Sequence, residues 1–156
     1  MLQENHMNHS RTLLNRLILI ALLSLAFTSA AEQKTTQGNY ELHYNTFPST
    51  FLSKDIANTY QITRSKNRGI VSISVLNTSQ TPPKALEADI TIVAKNLLNQ
   101  NKDVKLIKIT EENLAVYYLG TFSLNNQEDV NFNISATPKG NKEVINVKFS
   151  REFYTD

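Results

Sequence analysis

Leu114-Ala115-Val116-Tyr117-Tyr118-Leu119-Gly120-Thr121-Phe122 is the most continuously apolar and aromatic run outside the N-terminus. A short run that is apolar on both pleat faces reads as a strand buried on both sides, in the middle of a sheet or sandwich. Other strands must therefore cover it. Gly120 within the run signals a bulge or a close approach of another backbone. Thr110-Glu111-Glu112-Asn113 just before it is short enough to close a hairpin onto Val104–Ile109, a strand with Lys105 and Lys108 at its margins.

Working outward, apolar and polar residues alternate with a period of two along most of the chain, the mark of strands with one face inward. Tyr40, Leu42 and Tyr44 do so in a strand running to about Phe47, as do Val71, Ile73 and Val75 in Ile70–Leu76. Leu86, Ala88, Ile90, Ile92 and Ala94 form a long strand ending near Asn96, and Val130–Ala136 and Ile145–Phe149 continue the pattern. The breaks carry turn chemistry: Pro48-Ser49-Thr50, Arg64 to Gly69, Pro82-Pro83, Asn99 to Lys102 and Pro138 to Asn141. Gly69 is expected to supply a freely positioned φ. Phe51, Leu52, Ile56 and Ala57 suggest a turn or one helical turn on the core, and Tyr60–Thr63 a short strand. Roughly seven or eight short strands without a convincing helix predict an all-β, antiparallel sandwich. Leu42, Ile73, Val75, Ile90, Ile92, Val116, Phe132, Val147 and Phe149 are its expected core.

The 156 residues are 40% hydrophobic and 19% charged, enough for one domain with a real core. A net charge of +2 does not imply a nucleic-acid partner. The absence of cysteine removes disulfides, thiol catalysis, thiolate metal sites and a lipid-modified N-terminal cysteine together. At the N-terminus, His6, His9, Arg11 and Arg16 precede the apolar run Leu17–Phe27 and the small residues Thr28-Ser29-Ala30-Ala31. This reads as a cleavable signal peptide over residues 1–31, cut after Ala30 or Ala31, because the apolar run is shorter than the roughly 20 residues of a membrane span. Residues 32–37 read as a flexible leader and 38–156 as the single domain, periplasmic and without a stable membrane span after cleavage.

Gly38-Asn39-Tyr40, His43-Tyr44-Asn45, Phe51-Leu52, Arg64-Ser65-Lys66, Asn96-Leu97-Leu98 and Tyr117-Tyr118, taken in order and spacing, resemble the small exported bacterial proteins grouped as domain of unknown function family 4426. The resemblance spans nearly the whole mature chain. It implies a periplasmic protein of a Gram-negative bacterium with an immunoglobulin-like β-sandwich, and it brings no reaction, cofactor or catalytic residue. Tyr117, two residues before Leu119, also resembles the tyrosine corner of immunoglobulin domains. The hairpin into this strand departs from that topology, in which the preceding strand lies in the other sheet.

Chemistry-bearing residues are few. His43 is the one histidine after the leader, beside Glu41 and Asn45 on the polar face of the first strand. It could serve as a general base, but zinc needs three or four ligands and no second histidine completes a set, so no metal and no cofactor are expected. No Gly-x-Ser-x-Gly or other nucleophile motif occurs, and no catalytic residue is assigned. Glu87 and Asp89 share one strand face rather than flanking a cleft, so they read as a solvated surface and not as a glycosidase pair. Glu111-Glu112 and Glu128-Asp129 read as solvated turn residues without the ligand spacing of a calcium loop. Tyr40, Tyr44 and Tyr60 read as core packing rather than a ligand platform.

The turn carrying Arg64, Lys66 and Arg68 is the sharpest candidate, with His43 and Tyr60 as expected neighbours. Two functions follow: a non-catalytic binding or interaction module meeting an envelope protein or an anionic envelope component, or a small periplasmic hydrolase or ligand-processing enzyme using His43. A deep pocket with a carboxylate in reach of His43 favours the enzyme and a flat surface the module. The leader is directly testable: N-terminal sequencing of the exported protein should begin at Ala31 or Glu32, and an intact Met1 would refute the cleavage.

Overall fold

The computed structural model describes residues 33–111 and 114–155, so the expected signal peptide over residues 1–31 and its cleavage site lie outside the described residues. Within them lie ten strands: β1 Lys34–Gln37, β2 Tyr40–Pro48, β3 Arg68–Asn77, β4 Lys84–Leu86, β5 Ala88–Asn96, β6 Asn101–Lys102, β7 Lys105–Thr110, β8 Val116–Ser123, β9 Glu128–Pro138 and β10 Ile145–Phe153. The segment expected as one strand from Leu86 to near Asn96 is broken at Glu87 into β4 and β5 of different sheets, and β6 lies within the expected turn Asn99 to Lys102. Among the described residues a single α-helix, α1 (Lys54–Thr59), follows a 3-10 turn over Ser49–Phe51. Ser53 caps α1 by accepting the Ile56 N–H, satisfying one of the donors a helix start leaves open.

All strand pairings are antiparallel. One sheet has the order β1-β2-β3-β8-β7 with β4 also on β3, and the other has β10-β9-β5-β6. The chain changes sheet between β4 and β5, between β6 and β7, and between β8 and β9. Inner-face residues of both sheets meet in one cluster that includes Leu42, Val71, Ile73, Val75, Val116, Phe132, Ile134 and Val147, giving an all-β, sandwich-like arrangement. Rings link the sheets: Tyr44 stacks on Phe149 at 4.6 Å, Phe149 on Phe132 at 4.9 Å, and Phe122 meets Phe132 and Phe153 edge-on at 5.4 and 5.7 Å.

β8 sits between β3 and β7 and is buried on both faces, as its composition requires. Its inner residues Val116, Tyr118 and Phe122 face the second sheet. Its outer residue Leu119 joins Ile62, Ile70 and Ile109, with Phe47, Leu52, Tyr60 and Ile107 packed around them. That outer cover is therefore supplied by the excursion between β2 and β3 rather than by strands. Gly69, expected to supply a free φ, and Gly120, expected at a bulge or a close backbone approach, both make room for side chains. A Cβ on Gly69 would lie 2.4 Å from the Phe122 ring, and one on Gly120 would lie 2.6 Å from Val104 and 2.7 Å from Val71. Gly69 thus serves a close approach, and the turn before it is set by other residues.

Several expectations are corrected. Lys34–Gln37 of the expected flexible leader pairs with β2, from Lys34 opposite His43 to Gln37 opposite Tyr40, because Gly38 at φ +56° allows the tight reversal. Tyr60–Thr63 forms no strand, since its groups close α1 and the turn after it: Ile62 N–H donates to Ala57 and Ser49 Oγ donates to the Thr63 carbonyl. The tyrosine-corner reading of Tyr117 also fails. Tyr117 is 38% exposed, whereas its neighbour Tyr118 is 5% exposed and its hydroxyl accepts the Ala88 N–H at 2.7 Å from the other sheet. Parity decides this, as the inward set of β8 is even-numbered.

Six of the nine expected core residues are buried, while Ile90, Ile92 and Phe149 pack only partly buried against the cluster. Ile134, opposite Ile92 in the β5–β9 register, is fully buried. Ile134→Ala should cost about 2–5 kcal/mol in chemical denaturation and Ile92→Ala distinctly less, since cavity cost follows how completely the lost atoms were enclosed. Equal costs would mean that the flank beside β5 is closed.

Candidate functional site

The turn between α1 and β3 holds its three cations on a well-tied backbone. Buried Ser49 donates its hydroxyl to the Thr63 and Ser65 carbonyls, both at 3.1 Å, and accepts the Ser65 N–H at 2.9 Å. Arg64 donates to the Thr50 carbonyl at 2.7 Å. Across the sandwich end, Leu124 N–H donates to the Asn67 carbonyl at 2.8 Å and Asn67 Nδ2 returns a bond to the Leu124 carbonyl at 3.4 Å. Lys66 and Arg64 remain exposed and Arg68 is half-buried at the head of β3, opposite Ser123. Arg64 also lines a shallow groove of about 520 Å³ on α1, with Lys54, Asn58, Gln61 and Thr63.

The expected neighbours divide. Tyr60 belongs to the same excursion, where its ring packs on the outer-face cluster. His43 does not: it lies five residues before Pro48, whose partner Gly69 marks the turn's end of β3, roughly 16 Å away along the strand at about 3.3 Å per residue. There His43 Nε2 meets Glu41 Oε2 at 3.1 Å, and Lys34 donates to Glu41 Oε1 at 3.2 Å. The Lys34 ammonium, opposed by desolvation and aided by His43, holds the Glu41 carboxyl below its ordinary range. A carboxylate is thus in reach of His43, on the outer face of an open sheet. His43 lines neither the α1 groove nor a second groove of about 680 Å³ between Asn45–Pro48, α1 and Arg151–Tyr154.

The edge of β2 beyond β1 is blunted. Thr46 N–H is taken by its neighbour Asn45 Oδ1 at 2.8 Å, and Pro48 has no N–H to offer. Glu87 and Asp89 are the surface residues expected, tied to Lys108 at 2.8 Å and Lys139 at 2.5 Å in exposed pairs.

Glu128 overturns its reading as a solvated turn residue. It is 8% exposed, bonded through both oxygens to Lys102 at 2.5 and 2.6 Å, with Lys102 7% exposed. Asn125 donates N–H and Nδ2 to it at 2.9 and 3.2 Å, and Asn96 Nδ2 at 3.3 Å. The Asn96 Oδ1 in turn accepts the N–H groups of Leu98 and Gln100, holding Leu97 and Leu98 on an exposed tip. Nothing local in the sequence signals a pair separated by 26 positions. Burial works against the ionised Glu128, but Lys102, the Asn125 N–H and the two Asn amides outweigh it, and the carboxyl titrates below its ordinary range.

Residues 34–156 match the family model described as domain of unknown function DUF4426. The chain belongs to that family. It is similar to the crystal structure of a DUF4426 family protein from Pseudomonas aeruginosa PAO1, with 27% identity and a TM-score of 0.70 over 82% of this chain and 98% of that one. No curated protein matches the chain.

Breaking a buried pair leaves an uncompensated charge, so Lys102→Met should cost about 3–5 kcal/mol. A depressed folded-state pKa means stability that is complete above the unfolded-state carboxyl value and lost as pH falls through the folded one. Wild-type protein should therefore weaken as pH drops below about 4 in a denaturation series, and Glu128→Gln should show a shallower decline. Equal slopes would assign the acid sensitivity to other carboxyls.

Proposed function

We propose that this DUF4426 protein is a non-catalytic binding module of the Gram-negative periplasm, built on an immunoglobulin-like sandwich, whose basic turn meets an envelope protein or an anionic envelope component. The observation that carries the reading is the anchoring of Arg64, Lys66 and Arg68 on a backbone tied to Ser49 and Leu124, with the Arg64 guanidinium itself donating to the Thr50 carbonyl. Long cationic side chains on a fixed base lose little backbone freedom on binding, and Arg offers bidentate bonds to carboxylate or phosphate. The architecture is supported by strand order: β2-β3-β8-β7 facing β10-β9-β5-β6 corresponds to A-B-E-D facing G-F-C-C′ of the immunoglobulin fold. In that correspondence β7 and β8 are the D–E hairpin, which removes the conflict between the hairpin and the topology. The leader sequence of residues 1–31 supports the compartment, and the likeness to a Pseudomonas protein supports the Gram-negative source.

Replacing Arg64, Lys66 and Arg68 together by Ser should change stability by about 1 kcal/mol or less, since the turn's remaining anchors come from Ser49 and Asn67. The same variant should lose the partner that wild type captures from periplasmic extract, as should wild type in high salt. Capture with unchanged affinity and salt dependence would refute the role of the turn.

A further inference from the structure

Among the described residues β7 is the edge of its sheet, paired only with β8. Glu111 N–H donates to the Ala115 carbonyl at 3.0 Å in the register that runs through Lys105 opposite Thr121. Hydrogen-bonded and non-bonded pairs alternate along an antiparallel ladder, so residues 105, 107 and 109 bond to β8. Leu106, Lys108 and Thr110 then turn their main-chain N–H and C=O groups outward. Among the described residues no other strand takes them.

The same flank is open in the second sheet. β6 covers β5 only at Ala94 and Lys95, and the first β5 amide is taken by the Tyr118 hydroxyl reaching across from β8. In consequence Ile90 and Ile92 are only partly buried and Leu106, on the inner face opposite Gly120, is 37% exposed. Lysines on an edge normally deter pairing, yet Lys108 is held by Glu87. The other edges are shorter or covered: β1, β4 and β6 have four, three and two residues, the end of β2 beyond β1 is blunted as described, and β10 lies against β1 and β2.

We propose that β7 is a docking edge for an extended peptide segment of a partner protein. The segment adds as a further strand, bonding through its main chain to Leu106, Lys108 and Thr110, while alternate apolar side chains cover Leu106, Ile90 and Ile92. Unpaired peptide groups select an extended backbone, and the period of two selects alternate apolar side chains. This rests on the binding-module reading and gives its partner a chemistry.

The test selects a displayed library of random twelve-residue peptides against the purified full chain. Selected peptides should alternate apolar and polar residues, and on binding they should slow amide hydrogen exchange at Leu106 and Lys108. Leu106→Pro, which deletes one outward N–H at an edge position that tolerates proline, should bind them about tenfold more weakly. Leu106→Ala, which keeps that N–H, should lose less. Peptides without alternation, or exchange at Leu106 and Lys108 unchanged by bound peptide, would overturn the proposal, and the exchange measurement stands even if Leu106→Pro does not fold. A stable homodimer abolished by Leu106→Pro would assign the edge to a second copy and also overturn it. Partner capture from extract that survives Leu106→Pro, with no peptide selected, sinks this inference alone. Failure to capture any partner or peptide sinks the binding-module reading with it.

Discussion

The close approach of Phe122 to the backbone of Gly69 is the constraint on which the two-sheet core depends. The two residues are opposite one another on β8 and β3, and the missing Cβ lets the ring lie against the neighbouring strand where any side chain would collide. From there Phe122 reaches Phe132 and Phe153 of the other sheet edge-on. Phe132 passes the contact to Phe149 and Tyr44, so a relay of rings crosses between the sheets. Gly120 and Val104 repeat the device further along the same strand. A core without disulfides depends on this filling, because packed interiors tolerate neither added methylenes nor voids.

Around that core, polar side chains rather than regular structure fix the loops. Ser49 at one corner and Glu128 at another each collect bonds from segments far apart in sequence. Such groups are costly to bury unless fully partnered, so each imposes one arrangement on the loops that serve it. The consequence is a basic turn and a leucine-bearing tip held on rigid bases, the condition under which loops on a sandwich become recognition surfaces.

The edges show the opposite economy. Asn45 and Pro48 close the end of β2, and Tyr118 caps the first amide of β5. β7 keeps its outward groups while its central lysine is turned to Glu87. Protection at those edges and its omission along β7 is the contrast that makes β7 worth separating from the basic turn as a second surface.

The sequence by itself determined the longer strands β2, β3, β5, β7, β8, β9 and β10, their inward faces, the β7–β8 hairpin and the cations of the turn, because these follow from a period of two and from turn residues acting within a few positions. It also carried the family, through ordered short motifs from Gly38 to Tyr118. Tertiary structure alone decided that α1 and its flanks cover the outside of β8, that Tyr118 and not Tyr117 spends its hydroxyl internally, and that Glu128 is buried with Lys102. It also decided that Lys34–Gln37 joins the sheet and that His43 stands apart from Arg64. Each of those depends on which segments meet across a sheet or between sheets, and a one-dimensional pattern carries no record of contacts made by residues tens of positions apart.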